Sequence, residues 1–216
     1  MLLEEKEFFG DEFLGLRISF GDPQSHWTLT EKLGERHSQL IPEDVIEYPS
    51  LRGAAYGTFL AKSAENVNQE AVIRIIMQIP HAGAEIASSA ERARYAVQTI
   101  PKRAQDMVDA LTLLDGAQCR CAPRLMGVVE RAQGDTDPVP GGFLTYLLLE
   151  KLPGKKMGPW FWDLDRDERD KMRAYLKDAW IECTRTSQYR PLSSPSKMFW
   201  DASTQRMHVF DHSMMT

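Results

Sequence analysis

Apolar positions along the chain follow two different periods, and these set the expected elements. Residues 54–62 (AAYGTFLAK) are β-prone, and a polar turn at 65–70 leads into the run 71–80, AVIRIIMQIP, which is rich in β-branched residues and closed by Pro80. Such a run predicts a strand buried on both faces. Residues 124–130 and 143–150 read as two further strands, separated by a hydrophilic loop over 133–142 that carries Asp135, Asp137, Pro138, Pro140, Gly141 and Gly142. Ser88 or Ser89 can cap a short helix through Tyr95. After Pro101 a second helix carries Met107, Val108, Leu111 and Leu114 on one stripe and ends at Asp115-Gly116. The strongest helical pattern comes later. Asp165 can cap it, with Glu168 as capping-box partner, and Met172, Tyr175, Leu176, Ala179, Trp180 and Cys183 share one face.

A proline- and serine-rich loop over 187–197 follows. The segments 198–200 and 207–210, joined by a turn at 201–205, predict a hairpin that ends at Asp211. The first fifty residues carry weaker signals. Residues 4–13 suggest a short helix, 14–20 alternate like a strand and stop at Gly21-Asp22-Pro23, and 42–49 read as a linker. No repeat or low-complexity tract interrupts this order, which predicts a mixed α+β protein.

Composition narrows the function classes. A chain of 216 residues can bury one substantial core or build two small lobes. The net charge of −5, without a long basic run, argues against nucleic-acid and anionic-membrane surfaces. No stretch approaches the ~18–20 apolar residues that cross a bilayer. The acidic start, Met1-Leu2-Leu3-Glu4-Glu5-Lys6-Glu7, lacks a signal-peptide core, so a cytoplasmic protein is expected. Three cysteines, Cys119, Cys121 and Cys183, argue against a disulfide framework. Cys119-Arg120-Cys121 offers two thiolates, but no second ligand pair stands near it in the sequence. His208 and His212 have one-turn helical spacing yet fall in a strand and its exit. No metal site is therefore expected from either set.

Several local segments, in this order, resemble the protein-kinase-like fold: Tyr56-Gly57-Thr58-Phe59, Val72-Ile73-Arg74-Ile75, Val139-Pro140-Gly141-Gly142-Phe143, residues 149–154 (LEKLPG), Phe199-Trp200-Asp201 and Val209-Phe210-Asp211. The resemblance spans about residues 50–211 and is nearest in style to divergent kinase-like proteins of filamentous fungi and to aminoglycoside-type small-molecule phosphotransferases. It implies an N-terminal extension over 1–50, partly packed on the N-lobe. An antiparallel-sheet N-lobe with a helix C would cover 51–153, and a truncated helical C-lobe ending in a β-hairpin 154–216.

The same resemblance assigns roles, because phosphoryl transfer depends on a definite set of parts. Tyr56, Gly57 and Phe59 match the second half of a glycine-rich phosphate loop, while Arg52 and Ala54 replace its first two glycines. Arg74 stands where the ATP-positioning lysine belongs, and its planar fork is not a lysine ammonium. Met107, flanked by Asp106 and Asp109, occupies the place of that lysine's glutamate partner. Glu150 and Leu152 are further cofactor-side candidates. The catalytic-loop segment 187–197 contains no Asp, Glu, His or Asn; Leu192 falls at the base and Lys197 at the metal-binding asparagine. Asp211 matches the metal-binding aspartate and is followed by His212. These two are the candidate catalytic residues, with a Lys197–Asp211 salt bridge as the alternative filling of that site. The chain ends at Thr216, where a complete kinase would continue into its substrate-binding helices.

The expectation is a catalytically inactive, pseudokinase-type binding or regulatory protein with no cofactor, and with ATP and Mg²⁺ bound weakly at most. Two alternatives stand beside it. One is a small-molecule biosynthetic enzyme, as in secondary metabolism, with a repurposed inter-lobe cleft and acid–base groups among Asp211, His208, His212, Glu150 and Arg74. The other is a residual phosphotransferase using Arg74 and Asp211. A protein partner or a second copy is expected at an exposed C-lobe surface around Trp160, Phe161 and Trp162, with core packing as the competing role for these rings.

Overall fold

The structure, a computed structural model, describes residues 6–21, 24–187 and 198–209. The chain divides into two compact units, Met1–Gln105 with Met126–Leu149, and Asp106–Leu125 with Glu150–Thr216. Among the described residues no helix is long and apolar enough to cross a membrane.

The first unit is built on a six-stranded sheet with strands β1 (Arg17–Phe20), β2 (Ser25–Ser38), β3 (Gly53–Ser63), β4 (Glu70–Ile79), β5 (Leu125–Ala132) and β6 (Phe143–Glu150), in the order β1-β2-β3-β4-β6-β5. The pairs β1–β2, β2–β3 and β3–β4 are antiparallel. Strand β3 is paired along both edges: residue by residue from Ala54 to Ser63 against β2, through two bulges in β2, and from Gly53 to Lys62 against β4. Alternation then sorts the side chains. Ala55, Phe59, Ile73, Ile75 and Met77 join Ile18, Trp27, Leu29, Leu144, Tyr146 and Leu148 in one buried cluster. Tyr56, Thr58, Arg74 and Gln78 fall on the opposite face, and all four are buried.

Aromatic rings close the first face. Phe9 meets Phe59 edge-on at 6.0 Å and Phe13 at 4.9 Å. The backbone leading into Phe9 is held by charged groups of β2. Glu35 accepts the N–H of Phe8 at 2.5 Å and of Phe9 at 3.2 Å, and Lys32 donates to the Phe9 carbonyl at 2.7 Å. Helix α1 (Pro42–Glu47) lies in the connection between β2 and β3, and α2 (Ser89–Ala93) follows β4. Of the two serines that the sequence offers as caps, Ser88 caps α2, and it does so reciprocally with Glu91. The loop before β6 is organised by buried Gln133. Its amide donates to the carbonyls of Gln78 and Phe143, and its carbonyl accepts from Val139 N–H.

The second unit rests on α4 (Arg166–Ser187) and a small antiparallel sheet of β7 (Lys155–Lys156), β8 (Met198–Asp201) and β9 (Arg206–Val209). Asp165 accepts the Glu168 N–H at 2.8 Å, the N-cap that the sequence predicts. Met172, Ala179 and Cys183 of α4 are buried against Met198, Met207 and Val209, with Trp160 and Phe161 packed on the same cluster. Gly154 has φ +94°, and an added Cβ would come within 2.2 Å of the Trp200 carbonyl oxygen, so only glycine fits this approach. Helix α3 (Lys102–Gly116) runs across the division of the chain into units, with Ala104, Met107, Ala110, Leu111 and Leu114 buried.

The elements that differ from the sequence pattern lie mainly before residue 51. Residues 25–38, within the segment read as an extension, form the longest strand in the structure. Of the segment read as a short helix, the described residues 6–13 give only a 3₁₀ turn at Asp11–Phe13, and the apparent linker at 42–49 holds α1. Glycines in the sheet offer a direct test of the packing. A Cβ on Gly57 would sit 2.8 Å from the Phe59 ring and 3.0 Å from the Phe9 ring, both fully buried, whereas nothing lies within 4 Å of one on Gly34. Gly57→Ala is expected to destabilise by ~1–3 kcal/mol in chemical denaturation, through overpacking, and Gly34→Ala to change stability little.

Candidate functional site: the expected nucleotide residues and a three-thiol cluster

The residues singled out for nucleotide chemistry fall in three groups. Tyr56, Gly57 and Arg74 lie in the first unit, and Glu150 and Leu152 in the second. Lys197, Asp211, His212 and Leu192 lie outside the described residues. Tyr56 and Gly57 are interior residues of β3, paired with Arg36 and Glu35 of β2 and with Ile76 and Ile75 of β4. Gly57 is covered by Phe9 and Phe59. The Tyr56 ring takes the Arg36 guanidinium at 4.7 Å, and burial raises its phenol's pKa. Gly53 begins the same strand, with Ile79 and the Ser38 carbonyl close to where its Cβ would be. Arg74 is fully buried in the middle of β4, opposite Thr58.

The first unit also holds a cavity of about 30 Å³, lined by Leu40, Leu51, Arg52, Gln78, His81 and Tyr95 among others. That volume accommodates about one water molecule. Its polar groups are engaged with each other: Arg52 Nε donates to the Tyr95 carbonyl at 3.0 Å, and Gln78 Nε2 donates to the same oxygen at 2.8 Å.

In the second unit Glu150 pairs with Arg124, at 3.4 Å side chain to side chain and 3.3 Å from the Arg124 N–H. The Glu150 N–H in turn donates to the Arg124 carbonyl. The hairpin turn after β8 is fastened by Asp201, which accepts from Ser203 N–H at 3.0 Å, Ser203 Oγ at 2.7 Å and Thr204 Oγ1 at 2.6 Å. The Thr204 and Ser203 hydroxyls hold its carboxyl low, at about 2. The aromatic group at 160–162 is divided. Trp160 donates to the Lys156 carbonyl at 2.8 Å, Phe161 packs on the core, and Trp162 is 66% exposed.

The cysteines form the densest cluster of potential ligands in the described chain. Cys119, Cys121 and Cys183 are all buried, with Sγ–Sγ separations of 3.1 Å (119–121), 3.8 Å (119–183) and 2.7 Å (121–183). Local folding explains the convergence. Helix α3 ends in a Schellman turn: Gln118 adopts φ +55°, Gln118 N–H donates to Asp115 and Cys119 N–H to Leu114. That reversal sets Cys119 against Leu114, and α4 brings Cys183 from the end of its apolar stripe. Mutual hydrogen bonds make Cys119 the thiol that ionises first, held low by its contacts to Cys121 and Cys183, and hold the other two thiols up. The sequence shows Cys119 and Cys121 as a pair without a second pair. The sequence also sets Cys183 on the apolar stripe of α4, but nothing in it shows that this stripe packs against the turn after α3, where the three thiols meet.

His208, in β9, is buried, and its pKa is pushed down by that burial against the opposing pull of Asp201 and Glu150. A depressed imidazole means the unfolded chain takes its proton first. Stability is then complete above about 6.5 and declines as pH falls below it, toward the folded-state pKa. One such proton limits the slope to ~1.4 kcal/mol per pH unit. Denaturation curves of His208→Gln against wild type between pH 5 and 8 are expected to show that acid loss removed, with the remaining carboxylate-driven loss unchanged.

No protein-family profile matches the sequence, and no curated protein matches it. Among solved structures, a Cydia pomonella granulovirus kinase, PK-1, aligns with 86% of this chain and 50% of its own at 11% sequence identity, with a TM-score of 0.45. The chain thus spans about half the length of that structure.

Proposed function

We propose that this chain is a non-catalytic, kinase-like binding module that does not hold ATP through a glycine-rich loop. The reading starts from the order of motifs over residues 50–211 and from the catalytic-loop segment 187–197, which has no carboxylate or imidazole to take a proton from a nucleophile. The single observation that carries it is the state of β3. A phosphate loop works because backbone N–H groups point at the anion and glycines leave room for it. Here the matching residues, Tyr56 and Gly57, form the interior of a strand whose two edges are hydrogen-bonded to β2 and β4. Their N–H groups serve the ladder, and the space over Gly57 is occupied by Phe9 and Phe59. The connection between β2 and β3 carries the helical turn α1 with Pro42 at its start.

Arg74 adds to this reading. In protein kinases the ATP-positioning lysine follows two apolar residues on the third strand of the lobe. Ala71-Val72-Ile73-Arg74 has that pattern on β4, the third strand of the β2–β3–β4 meander. Its guanidinium is fully buried. Its planar guanidinium differs from the compact ammonium that a lysine would present there. The exposed Trp162 indole is the candidate contact for a partner or a second copy.

The test is nucleotide binding and transfer by the purified chain. ATP with Mg²⁺ is expected to leave the thermal midpoint unchanged and to give no γ-phosphate transfer, and Arg74→Lys is expected to restore neither. A saturable ATP-dependent rise in midpoint together with transfer that is lost in Asp211→Ala would contradict the reading.

A further inference from the structure

We infer that Cys119, Cys121 and Cys183 form a binding site for one thiophilic d¹⁰ cation, Zn²⁺ or Cu⁺, that ties the turn after α3 to helix α4. This site lies wholly within the second unit and is independent of the nucleotide reading.

Buried cysteine alone is unremarkable, because the thiol packs as a small hydrophobe. Three further facts separate this cluster from ordinary packing. First, all three cysteines of the chain meet at one point, although Cys183 is 62 residues from Cys121. Apolar residues fill the neighbouring positions, Met172, Met198 and Met207 among them, so the core does not require thiols there. Second, the dimensions suit a shared ion. Zn–S bonds of about 2.3 Å put tetrahedral sulfurs roughly 3.8 Å apart. The Cys119–Cys183 separation is 3.8 Å, and the two shorter ones need to open by about an ångström, within reach of small side-chain rotations. Third, the backbone around the thiols is fixed from several sides. Val209 N–H donates to the Cys121 carbonyl at 2.7 Å, Arg120 N–H to Glu182 Oε1 at 2.8 Å, and Cys119 N–H to the Leu114 carbonyl at 2.9 Å. A site held this way loses little freedom when it binds.

The donor set decides the metal. Three soft thiolates disfavour Mg²⁺ and Ca²⁺, which take oxygen ligands, and suit Zn²⁺ or Cu⁺. Binding is a plain exchange. Each cysteine that still carries its proton releases it to solvent, three metal–sulfur bonds form, and no electron moves. The Cys121 thiol gives up its hydrogen bond to the Ala179 carbonyl, 3.2 Å away, in the process. Cys121 also lines an open cavity of about 260 Å³ with Arg120, Asp178, Glu182 and Arg206. A water from that side completes a four-coordinate Zn²⁺, and Cu⁺ is satisfied by three thiolates alone.

The experiment uses the full chain, reduced, stripped of metal and kept anaerobic. Zn²⁺ is titrated against a chromophoric chelator and Cu⁺ against a bicinchoninate-type competitor, with Co²⁺ as the spectroscopic stand-in for zinc. The expected result is one ion per chain and a raised thermal midpoint. Co²⁺ should give a thiolate charge-transfer band, and under mild denaturant, which opens the buried cluster to a thiol reagent, metal should slow modification of the three thiols. Which cation competes successfully distinguishes the two sources. Cys183→Ser is expected to weaken binding by more than the ~10–100-fold that loss of an outer-shell partner costs. Binding weaker than the chelators detect, or wild-type affinity in both Cys119→Ser and Cys183→Ser, overturns the site. Should the serine variants fail to fold, thiol shielding in the unaltered chain decides. Three thiols that stay equally reactive with and without metal would equally rule it out.

Discussion

The hydrogen-bonded ladders on both edges of β3 are the constraint from which most of the first unit follows. Once Gly53–Ser63 is paired with β2 and β4 together, its backbone donors and acceptors are committed and its side chains must alternate between two buried faces. One face receives Ala55 and Phe59 and is sealed by Phe9; the other carries Tyr56, Thr58 and, across the ladder, Arg74. Gly57 is required because of the ring packed over it, not because of an unusual backbone angle. A segment that resembles a nucleotide loop in sequence thus has a sufficient structural reason for its glycine. Pattern and chemistry part company at that residue.

The second unit is organised differently, around the apolar stripe of α4. Met172, Ala179 and Cys183 hold the β8–β9 hairpin through Met198, Met207 and Val209. The hairpin turn is closed by a carboxylate, Asp201, rather than by glycine, and Gly154 permits close approach to Trp200. The Schellman turn at the end of α3 completes the arrangement by folding the Cys119–Cys121 segment back. Polar contacts here serve chain reversals, and the thiols occupy the apolar interior between those reversals and the helix.

Elements with strong local patterning were legible in the sequence. Residues 143–150 are a strand with the expected limits, the expected strand 54–62 runs from Gly53 to Ser63, and the α4 cap and stripe are as read. Strand β2 was not legible, because only Trp27 and Leu29 of its fourteen residues are buried. Its central residues include Glu31, Lys32, Glu35 and Arg36, interrupted by two bulges, so no alternation survives. Tertiary anchoring makes these charges useful: Lys32 and Glu35 fasten the backbone at Phe8 and Phe9. The candidate site was legible only by halves. Arg74 and Gly57 could be named from local motifs, but their burial and pairing depend on strands that are distant in sequence. The two nearby cysteines were visible, while the third is brought to them by the packing of α4. Local signals specify elements; the convergence of side chains from separate elements is a property of the packing alone.

Amide hydrogen exchange across Gly53–Ser63, followed with and without ATP and Mg²⁺, tests the central claim most directly. Slow exchange at Tyr56, Gly57 and Thr58, unchanged by nucleotide, is the predicted result. Rapid exchange at these three amides that becomes slow when nucleotide is added would show a mobile phosphate loop in place of a paired strand, and would contradict the account.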